Sequence, residues 1–128
     1  MATRTTSTYD PYEHAEQLGL EIHYQPIRTA HGLYIPSRRT ILLRPRMRAI
    51  VERSVLAHEV QHHLLEHRRT EGVWALRQER AADLGAARAL IHPEHYADVT
   101  AWSNDPAEVC RELGVTGELL LAYVRAAA

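Results

Sequence analysis

Between Arg46 and Arg68 the chain spaces Met47, Ile50, Val51, Val55, Leu56, Val60, Leu64 and Leu65 so that they cover more than one face of a helix. Such a helix belongs in the interior, yet the sequence sets His58-Glu59-Val60-Gln61-His62 into its second half. His58 and His62, four residues apart, share a face with Val51 and Val55. Water is scarce there, and a buried polar group without a partner costs roughly 1–3 kcal/mol. Any fold of this chain must therefore bring something to two imidazoles and the carboxylate beside them.

A core histidine can be satisfied by a backbone group or a carboxylate. For the H-E-x-x-H pair, one metal ion is the better solution, because it meets both imidazoles at once and gives Glu59 work to do. Neutral imidazoles bind Zn²⁺ at about 2.0–2.1 Å, the ion acidifies a water, and a neighbouring carboxylate removes the proton. His63 and His67 repeat the spacing about 100° further round the helix. His67 stands in the charged ending Glu66-His67-Arg68-Arg69, and both are expected to face solvent.

A catalytic zinc usually takes three protein ligands. One arrangement extends the motif with a Gly and a third His, but Leu65 and Arg68 occupy those positions and exclude it. The other takes a Glu from a following helix, with an Asp or Asn one turn later supporting a ligating histidine. Glu79-Arg80-Ala81-Ala82-Asp83 fits, in an Ala- and Leu-rich helix from Val73 to Ile91 that puts Leu76, Glu79, Asp83, Ala87 and Leu90 on one face. The ligand set expected is His58, His62 and Glu79, with Asp83 behind a histidine and Glu71 as a competing third ligand. The alternative for Glu79 and Asp83 is surface pairing with Arg77, Arg80 or Arg88, worth only a few tenths of a kcal/mol.

Upstream, Asp10-Pro11-Tyr12-Glu13 reads as a helix start and Gly19 as its stop. Leu20 to Ile27, Leu33 to Ile35 and Thr40 to Leu43 read as three short strands. Downstream, Asp105-Pro106-Ala107-Glu108 opens a helix that Gly114 separates from a second around Glu118 to Val124. This pair resembles part of a helix-turn-helix. Its second helix has one Arg, at the end, and no Asn or Gln to read bases, so packing on the core or a partner is expected and direct nucleic-acid binding is not.

With 128 residues, 45% of them hydrophobic, the chain can bury one modest core. A net charge of -1 argues against a chain devoted to nucleic acid or anionic membrane, although Arg38, Arg39, Arg44, Arg46, Arg48 and Arg53 form a basic stretch, read as a solvated face. All 15 basic residues are Arg, which we attribute to codon usage. The single cysteine, Cys110, excludes an internal disulfide and is expected to be a small packed hydrophobe. The polar start Met1 to Thr8 lacks the apolar run of a secretory signal, and no stretch approaches the roughly 20 apolar residues that span a bilayer, so a cytoplasmic protein is expected.

The run Ile41-Leu42-Leu43-Arg44-Pro45, then Leu56-Ala57-His58-Glu59-Val60-Gln61-His62, then Glu79-Arg80-Ala81-Ala82-Asp83 and Ala89-Leu90-Ile91-His92-Pro93 resembles the ImmA/IrrE family of metallopeptidases from Tyr12 to Pro93. It departs from the family pattern at Gly85, where an aromatic is common, and at His92, where Met is usual. The resemblance implies an α+β fold of minimal zincin type, with a small three-stranded sheet on a buried HExxH helix, a following ligand helix and a C-terminal helical pair. The corresponding divisions are a disordered leader at 1–9, a metallopeptidase domain at 10–104 and a helical pair packed on it at 105–128.

The resemblance further implies a gluzincin-like zinc endopeptidase with His58, His62 and Glu79 on zinc and Glu59 as general base. Members are often encoded by phages and mobile elements and cut a helix-turn-helix repressor. The rival class is a metal-binding regulatory protein that sequesters a transcription regulator without cutting it. For the donor that stabilises the transition state, His63, His92, His95, Tyr34 and Tyr96 all stay open.

Overall fold

The computed structural model describes residues 8–127. Most of the leader expected to be disordered, residues 1–7, lies outside the described residues. The elements are α1 (Pro11–Gln17), β1 (Glu21–Tyr24), β2 (Gly32–Ile35), a 3-10 turn (Pro36–Arg38), β3 (Thr40–Leu43), α2 (Ala49–Leu64), α3 (Gly72–Leu90), α4 (Pro93–Thr100), α5 (Pro106–Leu113) and α6 (Gly117–Ala127). This is the α+β architecture expected from the sequence. The Asp10 carboxylate accepts from the Tyr12 and Glu13 backbone N–H groups, and Asp105 does the same for Ala107, which fixes the starts of α1 and α5.

The sheet order is β1-β3-β2, with β1 parallel and β2 antiparallel to β3. Ile41 and Leu43 on β3 are fully buried and pack with Ala15, Leu20, Leu56 and Val60, so the central strand rests on α2 with α1 beside it. A second cluster joins Ala57 of α2 and Ala86, Ala87 and Ile91 of α3 to Val99, Val109, Leu113, Val115, Leu119 and Leu120. The second helix of the C-terminal pair therefore lies on α3 through Leu119 and Leu120. Cys110 packs at the edge of this cluster, and burial pushes its thiol pKa up, as suits an inert hydrophobe.

Four sequence expectations need correcting. Helix α4 was not foreseen; Pro93 at its first turn and the His92 Nδ1, which accepts from the Glu94 N–H, start it. The first strand ends at Tyr24 rather than Ile27, because Arg44 clamps the Ile27 carbonyl with two guanidinium hydrogen bonds. Helix α2 ends at Leu64, short of Arg68. The stripe on α3 runs out before Leu76, which is 51% exposed.

The basic stretch is in part structural. Arg39 donates to the Leu18 carbonyl, Arg44 to that of Ile27, and Arg53 to those of Tyr9 and Gly114. No helix among the described residues is long and apolar enough to cross a membrane.

Strand β2 crosses α2 so closely that a Cβ on Gly32 would stand 2.6 Å from Val55 Cγ1 and 3.3 Å from Glu59 Cγ. Val55 is stiff at χ1 and cannot easily turn away. Gly32→Ala is therefore expected to cost about 1–3 kcal/mol by overpacking, measured by denaturant melts. A wild-type midpoint for that variant would show that the contact yields freely.

Candidate metal centre

Two helices carry the polar groups of the centre. On α2, His58 and His62 lie one turn apart, with ring centroids 4.7 Å from each other and Nε2 atoms 3.1 Å apart. On α3, Glu79 and Asp83 have the same four-residue spacing and face them. One Glu79 oxygen is 2.7 Å from His62 Nε2 and the other 3.3 Å from His58 Nε2. Asp83 Oδ1 lies 2.7 Å from His58 Nδ1. The expected four-residue set is thus brought together.

Glu59 stands apart from this cluster by a small gap. Its Oε2 is 4.0 Å from His58 Nε2, the residue is only 7% exposed, and the Tyr34 backbone N–H donates to its carboxylate. Possible ligand atoms of His58, Glu59 and His62 all lie within 4.8 Å of one another. Of the two carboxylates, Glu79 makes the closer contact with the imidazoles. Glu71, the competing ligand, sits exposed at the N-cap of α3, eight residues and about 12 Å along the axis from Glu79.

The donor chemistry fits a small cation. With the Nδ1 proton of His58 given to Asp83, the Nε2 lone pair points inward, toward the inward nitrogen of His62 and the Glu79 oxygens. Two nitrogens on one tetrahedral ion, each about 2.0–2.1 Å from it, stand about 3.3 Å apart, near the 3.1 Å between these Nε2 atoms. Nitrogen lone pairs and a carboxylate converging on one point make a poor hydrogen-bond network and a good Lewis-acid site.

His67 was expected to face solvent on α2. It stands beyond the helix end, half-buried, with Nδ1 2.9 Å from His62 Nδ1. His63 is also partly buried, and its Nδ1 shares a 2.7 Å hydrogen bond with the Tyr34 hydroxyl. Tyr96 stacks on Tyr123, and His92 caps α4. None of the five candidate donors lines the cavity beside His58 and Glu59.

The electrostatics follow from this crowding. Burial alone would push the His58 pKa down, but hydrogen bonds to Asp83 and Glu79, with the Glu59 and Asp83 charges, carry it up to about 10. Hydrogen bonds from His58 and His62 hold the Glu79 carboxyl well below the usual carboxylate range. Burial raises the Glu59 pKa against the opposing pull of His58 and His62.

The family model for the M78 peptidases, described as the IrrE N-terminal-like domain, matches residues 15–122. The chain belongs to this family. The match takes in α2, α3 and most of α6, so the carboxylates facing His58 and His62 lie inside the M78 domain. Membership makes the protein a metallopeptidase type with protein as its substrate class. No curated protein matches the chain.

In metal-free M78 protein the raised His58 pKa has a definite sign. Its contribution to stability is fully present below about pH 6.5 and is lost as pH rises through about 10. Chelator-treated protein is expected to melt at progressively lower temperature across that window, and Asp83→Asn to flatten the trend. A His58 NMR titration with an ordinary midpoint would refute it.

Proposed function

We propose that this M78 protein is a zinc endopeptidase that relieves repression by cutting a helix-turn-helix transcriptional repressor in the cytoplasm, as the family resemblance implies for phage and mobile-element members. His58, His62 and Glu79 would hold the zinc, and Asp83 would orient His58 through its outer nitrogen. Bound there, zinc would acidify a water and polarise the scissile carbonyl.

The observation that carries the reading is the placement of Glu59. A structural metal site has no use for a further carboxylate, the one buried member of the centre's acids, held 4.0 Å from a ligand nitrogen by a backbone N–H. A hydrolase does. Glu59 would take the proton of the attacking water and return it to the leaving amine. Asp83 keeps the His58 Nδ1 protonated, so that Nε2 stays a donor to the metal.

Purified without chelator, the protein is expected to carry about one zinc per chain, and His58→Ala, His62→Ala or Glu79→Ala to lose it. Asp83→Ala should weaken zinc affinity or activity by about 10–100-fold. Protein that cannot be loaded with Zn²⁺ would end the proposal.

The deciding experiment mixes zinc-loaded protein with the repressor encoded beside its gene. A discrete fragment is expected, and Glu59→Gln should keep its metal while cleavage falls by at least about 10²-fold. If Glu59→Gln relieved repression in cells as well as wild type, with the repressor intact, sequestration would replace cleavage as the mechanism.

A further inference from the structure

The end of α2 brings a fifth polar side chain to the metal centre from outside. Glu66 takes a left-handed conformation at φ 55°, the Glu66 N–H donates to the His63 carbonyl, and the His67 N–H donates to that of His62. This pair of bonds is a Schellman closure. Such a closure folds the residue after the left-handed one back onto the residue five before it, and the contact between those two side chains is frequently apolar. Here both are histidines.

The His62 and His67 rings meet with centroids 5.1 Å apart and planes inclined at 61°, and their Nδ1 atoms stand 2.9 Å from each other. Two ring nitrogens at that distance form a hydrogen bond only if one carries a proton and the other a lone pair. The centre decides which. His62 Nε2 lies 2.7 Å from Glu79 Oε2 and 3.1 Å from His58 Nε2, so Nε2 is the nitrogen that would meet a metal and must keep its lone pair. The single proton of the neutral His62 ring then sits on Nδ1, and His67 Nδ1 must accept it. His63, although nearer in sequence, is engaged elsewhere, its Nδ1 being paired with the Tyr34 hydroxyl.

We infer that His67 is a positioning residue for the metal: it accepts the Nδ1 proton of His62, fixes the tautomer and rotation of that ring, and so aims His62 Nε2 at the ion. The inference rests on the assignment of His62 to zinc made above. It makes the two ligating imidazoles unequal, because His58 is backed by the Asp83 carboxylate from another helix and His62 by an imidazole from the turn that ends its own. His67 is not itself a ligand. It stands at the outer nitrogen of His62, on the opposite side of the ring from Nε2.

The test measures zinc affinity in full-length wild type and two variants, by competition with a chromogenic chelator. His67→Leu keeps an apolar side chain of the kind such closures use and removes the acceptor. His67→Asn puts an amide oxygen where Nδ1 stood, since both atoms are bonded to Cγ, and either variant retains the backbone N–H that closes the helix. Affinity is expected to fall about 10–100-fold in His67→Leu and to recover in His67→Asn. A residue that merely capped the helix would rank them the other way. Proton–nitrogen NMR of the zinc-loaded wild type should also show a slowly exchanging proton on His62 Nδ1, lost in His67→Leu. Equal affinity in the two variants, or a His62 Nδ1 proton in wild type that exchanges freely with water, would overturn the inference and leave His62 as a ligand. Wild type without zinc affinity would overturn the ligand assignment itself.

Discussion

The close approach of α3 to α2 is the contact on which the rest of the molecule depends. Ala57 on α2 and Ala82, Ala86 and Ala87 on α3 have no exposed surface, and at Gly85 a Cβ would meet the Gln61 side chain at 2.1 Å. Small side chains let the two axes draw together, and nearness turns matching four-residue spacings into chemistry: His58 and His62 on one helix meet Glu79 and Asp83 on the other. The family pattern often has an aromatic at the Gly85 position. Here the Gln61 side chain, itself within the H-E-x-x-H motif, occupies that space.

The C-terminal helices are referenced to the same helix. Ser54, one turn before His58, accepts from the Thr116 N–H at 3.3 Å, and Arg53 beside it donates to the Gly114 and Tyr9 carbonyls. The turn between α5 and α6 is thus pinned to α2 by two adjacent residues. The C-terminal pair and the imidazoles are thereby anchored to the same helix.

Features set by local spacing were legible in the sequence. The Asp10 and Asp105 caps, the three strands, the HExxH helix and the pairing of Glu79 with Asp83 all follow from residue type and interval, and the structure brings them out with ends shifted by a few residues. What escaped was set by contacts distant along the chain or by single backbone angles. Nothing in the residues around Glu66 announces a left-handed angle, since Gly is the usual signal, so periodicity alone carries α2 on to Arg68 and leaves His67 facing solvent. Helix α4 is short and mixed, with only Val99 buried, and gives little periodicity to read. The three structural arginines could not be told from solvated ones, because their partners are backbone carbonyls, which carry no sequence signature.

The strand order has a consequence for how the chain acquires its shape. Strand β3 is the last of the three to be synthesised and lies between the other two, so β1 and β2 have no partner in the sheet until Thr40–Leu43 is available. Even then, Ile41 and Leu43 need Leu56 and Val60 of α2 to bury them. On a ribosome, the segment from α1 to β2 therefore has no sheet to join until β3 emerges, and assembly waits for α2 to clear the exit tunnel.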